Sequence, residues 1–212
     1  MTGEMRVRQP GACEPAPGDA PSRGDVHGEP HAPVPLCDVR RRCDLLSSEI
    51  LRYCRIHELR IAAAESLTGG LLADAFVRIP GASLVFLGSA VTYDIRAKAS
   101  ILGVDRGLLE REGAVHPEVA SQMARGTVTL YSGCVESERI LGLSTTGVAG
   151  PGPDGGKPAG LVYVGMALPR VLRAPSGPSC VAHMLRLHGS REEIRMRTVL
   201  DVLQNVRQLT VR

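Results

Sequence analysis

Residues 59–79 read LRIAAAESLTGGLLADAFVRI. The first eight form a short apolar run ending in Glu65-Ser66, the pattern of a buried strand. Two glycines follow, and GGLLADAFVRI then reads as a helix that stops before Pro80-Gly81. A buried strand turning into a helix is the repeating unit of α/β domains. Polar side chains at such a strand end serve a turn, a cap or a reaction. On this stretch alone, Ser66 or Thr68 could cap the helix, or Ser66 could be a nucleophile exposed by the turn. It is not a Gly-x-Ser-x-Gly elbow, because no glycine flanks the serine on either side.

The same alternation continues outward. Leu45, Leu46, Ile50, Leu51 and Cys54 have helical spacing, which predicts a helix from Asp38, as N-cap, to about Glu58. SLVFLGSAVTYD (83–94) is strand-like, with Gly88 a point of breakage or bending. RAKASILGV (96–104) is a short helix or turn, and Pro117 opens a helix whose Val119, Met123 and Val128 share a face. RILGLSTT (139–146) is a buried strand running into a glycine-rich loop. LVYVGMAL and CVAHMLRLHG are further strands. Ser190 and Glu193 form a capping box for a final helix that buries Ile194, Val199, Leu203 and Val206. The expected fold is therefore α/β, a three-layer α/β/α sandwich over residues 38–212. Residues 1–37, rich in Pro and Gly with little to bury, read as a disordered tail.

Composition narrows the function. Aromatics are 3% of the 212 residues and Trp is absent, so stacking platforms for bases are lacking. A net charge of +3 does not call for a polyanion, so no nucleic-acid partner is expected. No apolar run approaches a membrane span and no secretory h-region is visible, so a cytoplasmic protein without membrane contact is expected. The six cysteines, at 13, 37, 43, 54, 134 and 180, make no CxxC pair. Cys37 and Cys43 with His27 and His31 match no zinc spacing, so no metal is expected.

Three polar clusters fall at strand ends, where α/β folds build their sites. The first is Glu65-Ser66-x-Thr68-Gly69-Gly70. The second holds Tyr93 and Lys98. Lysine occurs only at 98 and 157 while arginine is abundant, and only lysine of the two can act as a base once burial lowers its pKa. The third is TTGVAGPGPDGGKPAG (145–160), whose glycines let backbone amides approach an anion but which lacks the Gly-Lys-Ser/Thr ending of a P-loop. Arg191 and Arg195 stand at the start of the last helix, a position that suggests an anion between them and the helix start, although surface arginines are commoner. His116 reads as a helix-entry residue, and His183 and His188 carry no role.

Taken in order, AESLTGG, VTYDIRAKASILGV, GAVHPEVA, TTGVAGPGPDGGKPAGLVYV and GSREEIRMR resemble the CinA C-terminal family, over roughly residues 45–209. The resemblance implies a mixed, mostly parallel sheet, a homodimer and no cofactor. Stand-alone members of that family hydrolyse the carboxamide of nicotinamide mononucleotide to nicotinic acid mononucleotide and ammonia. Only the tail precedes the matching part here, so a stand-alone amidase with a pyridine mononucleotide as substrate is expected. The family's serine falls on Ser66, its lysine on Lys98 as proton acceptor, and its threonine on Thr146, which would hold Lys98 or Ser66 in register. Backbone amides near Gly69 and Gly70 would receive the oxyanion, with Glu65 and Thr68 beside the substrate. Tyr93 would pack on the pyridine ring, while Arg191 with Gly147, Ala149 and Gly150 would hold the phosphate. The family's usual Gly-Asp-Arg is Gly189-Ser190-Arg191 here, and its GAVS is GAVH. A nucleotide-binding module without turnover, or an amidase for another carboxamide, stays open beside this reading.

Overall fold

A computed structural model describes residues 35–210; the expected tail, through residue 34, lies outside the described residues. The elements follow the order α1 (Leu36–Ile56), β1 (Arg60–Glu65), α2 (Leu71–Val77), β2 (Phe86–Val91), α3 (Ile95–Leu102), α4 (Arg106–Glu112), α5 (Pro117–Tyr131), β3 (Ile140–Gly147), β4 (Leu161–Ala167), β5 (Cys180–Arg186) and α6 (Arg191–Thr210). The five strands form one sheet ordered β2-β1-β3-β4-β5. β1 is parallel to both its neighbours, whereas the β3–β4 and β4–β5 ladders are antiparallel. The sheet is thus mixed, with only β4 reversed.

β1 is buried from Ile61 to Glu65, as a central parallel strand with helices on both faces must be. Its side chains alternate between two cores. Ile61 and Ala63 join Ile50, Cys54, Leu72, Phe76 and Leu203 under α1, α2 and α6. Ala64 joins Leu102, Leu109, Val119 and Met123 under α3, α4 and α5. The crossover from β1 to β2 runs one way along the sheet and that from β2 to β3 runs back. Right-handed crossovers in opposite directions leave their helices on opposite faces, which is how the third layer arises. It also makes the β1/β3 boundary the place where the strand order reverses, the usual position of an α/β site.

α5 lies directly on the sheet because the sheet is bare beneath it. A Cβ on Gly142 would stand 2.4 Å from the Ala124 carbonyl oxygen, and one on Gly165 2.4 Å from that of Ala120. Ser144 Oγ donates to the same Ala120 carbonyl at 2.7 Å. Val119 and Met123 on α5, and all four residues expected on the inner face of α6, are buried.

Several expectations need correction. α1 starts at Leu36 behind Pro35, so Asp38 sits in its first turn and is not the N-cap. The expected boundary at residue 38 thus falls inside a helix. Of the two alternatives at Gly88, φ +150°, the strand is not broken; it continues with a bulge-like slip of the pairing register opposite it, between Ile61 and Ala62. Residues 106–112 form a helix that the apolar spacing did not announce, capped by Asp105, which accepts from the Leu108 amide at 2.6 Å. Val128 is only partly buried, outside the core that holds Val119 and Met123.

Candidate active site

The C-terminal ends of β2, β1 and β3 lie side by side, and each runs into one of the three polar clusters. Ser66 follows β1 directly, its amide donating to the Thr145 carbonyl of β3 at 3.0 Å. Thr92, Tyr93 and Asp94 follow β2, and Gly147 ends β3. Asp94 then caps α3 by accepting from the Arg96 amide at 2.7 Å. That cap sets the helix so that Lys98, four residues on, turns back beneath the strand ends.

Lys98 is fully buried, and Ser66 is 8% exposed. Lys98 Nζ donates to Ser66 Oγ at 3.0 Å and to the carbonyls of Thr92 at 2.5 Å and Tyr93 at 3.3 Å. Among the described residues no carboxylate lies within ion-pair distance of it. Burial pushes its pKa down from 10.5 to about 8, against a weaker upward pull from Asp94. When Lys98 loses a proton, the two carbonyls still hold its two remaining N–H groups. The lone pair then faces Ser66 Oγ, whose own proton can be donated to it.

Glu65 has a different position from the one expected. It is buried, and its carboxylate accepts from the amides of Gly70 (2.9 Å), Leu72 (3.0 Å) and Ala73 (3.0 Å) and from Ser89 Oγ (2.8 Å). Neither Ser66 nor Thr68 caps α2; Glu65 does so from the end of the preceding strand. The Gly70 amide is therefore occupied, and the Gly69 amide donates to the Ser66 carbonyl at 3.2 Å. The two amides expected to receive an oxyanion are thus both engaged. Among the described residues the amides of Leu67 and Thr68 donate to no protein acceptor. They are the free donors on the turn that carries Ser66.

Thr68 and Thr146 also differ. Thr68 Oγ1 shares a 2.8 Å hydrogen bond with Thr145 Oγ1 inside the protein. Thr146 Oγ1 donates to the Ala114 carbonyl at 2.7 Å and not to Lys98 or Ser66. Successive residues of a strand face opposite sides of the sheet, so Thr145 and Thr146 cannot both face the serine turn. Arg191, Tyr93 and Gly150 do come together. Arg191 Nη1 donates to the Gly150 carbonyl at 2.6 Å and Nη2 to the Tyr93 hydroxyl at 3.0 Å. Tyr93 is 63% exposed. Beside them is a cavity of about 110 Å³ lined by Leu67, Gly147, Ala149 and Asp154. A larger hollow of about 390 Å³ between α3 and α4 contains none of these residues.

Sequence reasoning missed one supporting residue and gave another a different role. Lys157 anchors the glycine-rich loop, its Nζ donating to the Val115 carbonyl at 2.6 Å and the Glu112 carbonyl at 2.5 Å. Arg195, expected to face an anion, instead donates through Nε to the Leu67 carbonyl and through Nη2 to the Thr68 carbonyl, each at 2.8 Å. The scarcity of lysine was the only hint of the first. At the other helix starts, His116 Nδ1 accepts from the Glu118 amide at 3.2 Å, and the Ser190–Glu193 capping box forms as expected. The histidine of GAVH and the serine of GSR therefore both serve as caps.

No group of three His, Cys, Asp or Glu able to hold a metal occurs among the described residues. Burial raises the Cys43 thiol to about 11 and Cys54 to about 12, which keeps both from acting as nucleophiles. Among the described residues no helix is long and apolar enough to cross a membrane.

The arrangement defines a class: an α/β domain with a buried Ser–Lys pair at the strand-order reversal and a cavity lined by Arg191 beside it. Residues 44–210 match the family model described as the CinA C-terminal domain, and the chain belongs to that family. It is 40% identical over 166 residues to a CinA-like protein of Frankia casuarinae, covering 78% of this chain and 35% of that protein. It is 44% identical over 160 residues to a putative competence-damage inducible protein of Caldanaerobacter subterraneus, covering 75% and 35%. The chain thus spans about a third of the length of these curated relatives. Among solved structures it resembles the competence/damage inducible protein CihA from Agrobacterium tumefaciens, at 33% identity and a TM-score of 0.67, covering 79% of this chain and 95% of that one. A CinA superfamily protein from Klebsiella pneumoniae, at 23% identity and a TM-score of 0.70, shares the fold.

Proposed function

We propose that the protein hydrolyses the carboxamide of nicotinamide mononucleotide, giving nicotinic acid mononucleotide and ammonia. The observation that carries this reading is the 3.0 Å approach of Lys98 Nζ to Ser66 Oγ in a buried setting without a carboxylate partner. A binding module has no need of such a pair, whereas acyl transfer requires a serine and a base within hydrogen-bond reach.

In the first half-reaction Ser66 Oγ forms a bond to the amide carbon while its proton passes to neutral Lys98. The carbonyl oxygen takes up negative charge beside the amides of Leu67 and Thr68. The tetrahedral species collapses, the C–N bond breaks, and Lys98 returns the proton to the leaving nitrogen, which departs as ammonia. Water then attacks the ester carbon, giving its proton to Lys98. The C–Oγ bond breaks, Lys98 returns that proton to Ser66, and the carboxylic acid leaves as carboxylate after losing its remaining proton to solvent.

Arg191 and Tyr93 give the reading its substrate class. The guanidinium lines the cavity and, among the described residues, is held by one hydroxyl and one carbonyl, and a phosphate is a stronger acceptor than either. The cavity is smaller than the roughly 300 Å³ at which ligand pockets begin, and release of the Arg191 bridge from Gly150 and Tyr93 is the change that would free its guanidinium for the phosphate. Incubation with nicotinamide mononucleotide and, separately, with the riboside that lacks the phosphate tests this. Ammonia and nicotinic acid mononucleotide should appear from the nucleotide, with the riboside a much poorer substrate. Nucleotide binding without ammonia release would instead favour the binding module. Equal turnover of both compounds would point to another carboxamide.

A further inference from the structure

Arg195, expected to face an anion, is instead joined to the serine turn by two hydrogen bonds. Its Nε and Nη2 reach the carbonyls of Leu67 and Thr68, each at 2.8 Å. Among the described residues no carboxylate lies within 4.0 Å of it, unlike Arg197 two residues on, which pairs with Glu193 at 3.7 Å. A half-buried arginine that spends its fork on two successive backbone carbonyls is fixing the turn and is not neutralising an acid.

The consequence follows from peptide geometry. The Leu67 carbonyl and the Thr68 amide are opposite ends of one trans peptide and point in opposite directions. The Thr68 carbonyl and the Gly69 amide are related in the same way. Arg195 on the carbonyl side therefore fixes the direction of both N–H groups on the other side. The Gly69 N–H closes the turn on the Ser66 carbonyl at 3.2 Å, and the Thr68 N–H is left free. A charged donor on the carbonyl also polarises the peptide and strengthens its N–H as a donor.

Gly69 at φ +53° keeps the turn tight, and a Cβ there would lie 3.4 Å from Arg195 Nη2. The nucleophile turn and the first turn of α6 are thus packed as one unit.

We infer that Arg195 is a positioning residue for acyl transfer, holding and polarising the Leu67–Thr68 peptide so that its free amide receives the oxyanion. The inference rests on the Ser66 reading above but not on the identity of the amide substrate. Arg195→Met removes the charge and both bonds; Arg195→Lys keeps the charge and loses the two-pronged geometry. If Arg195 acts as inferred, kcat for nicotinamide mononucleotide falls by about 10- to 100-fold in both variants, below the loss for deleting an oxyanion donor outright. KM stays within about threefold, because ground-state binding is left to other residues. An Arg195→Ala variant should recover part of its kcat with added guanidinium, which merely restoring fold stability would not produce.

Labelling of Ser66 by a fluorophosphonate provides a readout free of the amide. In that step Oγ bonds to phosphorus, fluoride leaves, and the serine proton goes to Lys98. Wild type that labels but releases no ammonia would remove the amidase reading alone, and slowed labelling of the Arg195 variants would still uphold the positioning role. Folded variants that label and turn over within about threefold of wild type would overturn it. So would a wild type whose Ser66 does not label at all.

Discussion

Lys98 is the residue on which the chemistry turns. With a pKa of about 8 it is neutral in roughly a tenth of molecules at pH 7, against fewer than about one in a thousand at the ordinary 10.5. Because the neutral amine is the active form, the single-base prediction is that kcat/KM climbs about tenfold per unit below pH 8 and levels above it. A profile flat from pH 6 to 9 would contradict a lysine base. The same shift acts on stability with a definite sign. Below pH 8 the lysine is charged in both folded and unfolded chains, so its contribution is constant. Between pH 8 and 10.5 only the unfolded chain holds the proton, so stability contributed by this site rises with pH through that window. At the phosphate end, Arg191→Ala should raise KM for the nucleotide about 10- to 100-fold, the worth of a lost charge-assisted hydrogen bond, and leave the riboside unaffected. A comparison of the two substrates on one variant settles whether Arg191 holds a phosphate.

At the scale of single elements, the turn after β1 depends on Glu65. Its carboxylate holds three amides at the start of α2, and Glu65→Ala leaves all three without their acceptor. The loss should be about 1–3 kcal/mol, the cost of leaving the buried Leu72 amide unpaired while water reaches the part-buried Gly70 and Ala73 amides, read from urea unfolding midpoints. A change under 1 kcal/mol would mean that water replaces the carboxylate. Gly126 is a second fixed point: a Cβ there would lie 2.0 Å from the Leu102 carbonyl oxygen, so Gly126→Ala must push α5 away from α3, which carries Lys98. Both stability and turnover should fall in that variant.

These elements also mark what can be read from sequence. Strands, the capping box at Ser190 and the inner face of α6 announce themselves through periodicity, because burial is periodic. Residue type and place at strand ends made Ser66 and Lys98 candidates, and the family resemblance gave them their roles. The resemblance placed Glu65 beside the substrate and Thr146 beside Lys98 or Ser66, and the helix start suggested an anion at Arg195; all three depend on which way a side chain points after the chain has folded. Contacts such as Arg195 to Leu67 join residues 128 positions apart, and no local spacing encodes them. The α4 helix escaped notice for a different reason, since among its seven residues only the adjacent Leu108 and Leu109 are large and apolar, and two neighbours show no period.

On the scale of the whole molecule, every site residue discussed lies between Glu65 and Arg195, inside the segment that matches the CinA C-terminal domain. A chain beginning at Pro35 should therefore keep its fold and its turnover, and a loss of either would show that residues 1–34 contribute. The site draws on the ends of three strands, the start of α6 and the clamp of Lys157 on the α4–α5 turn, so both faces of the sheet must be in place for it to form. The central claim is that Ser66 is the nucleophile and Lys98 its base. Its most direct test is ammonia release from nicotinamide mononucleotide by wild type, Ser66→Ala and Lys98→Ala, each verified as folded and assayed without added metal. Turnover by wild type and a loss of about a thousandfold or more in both variants is the predicted result. Turnover that survives in either variant would contradict the pairing.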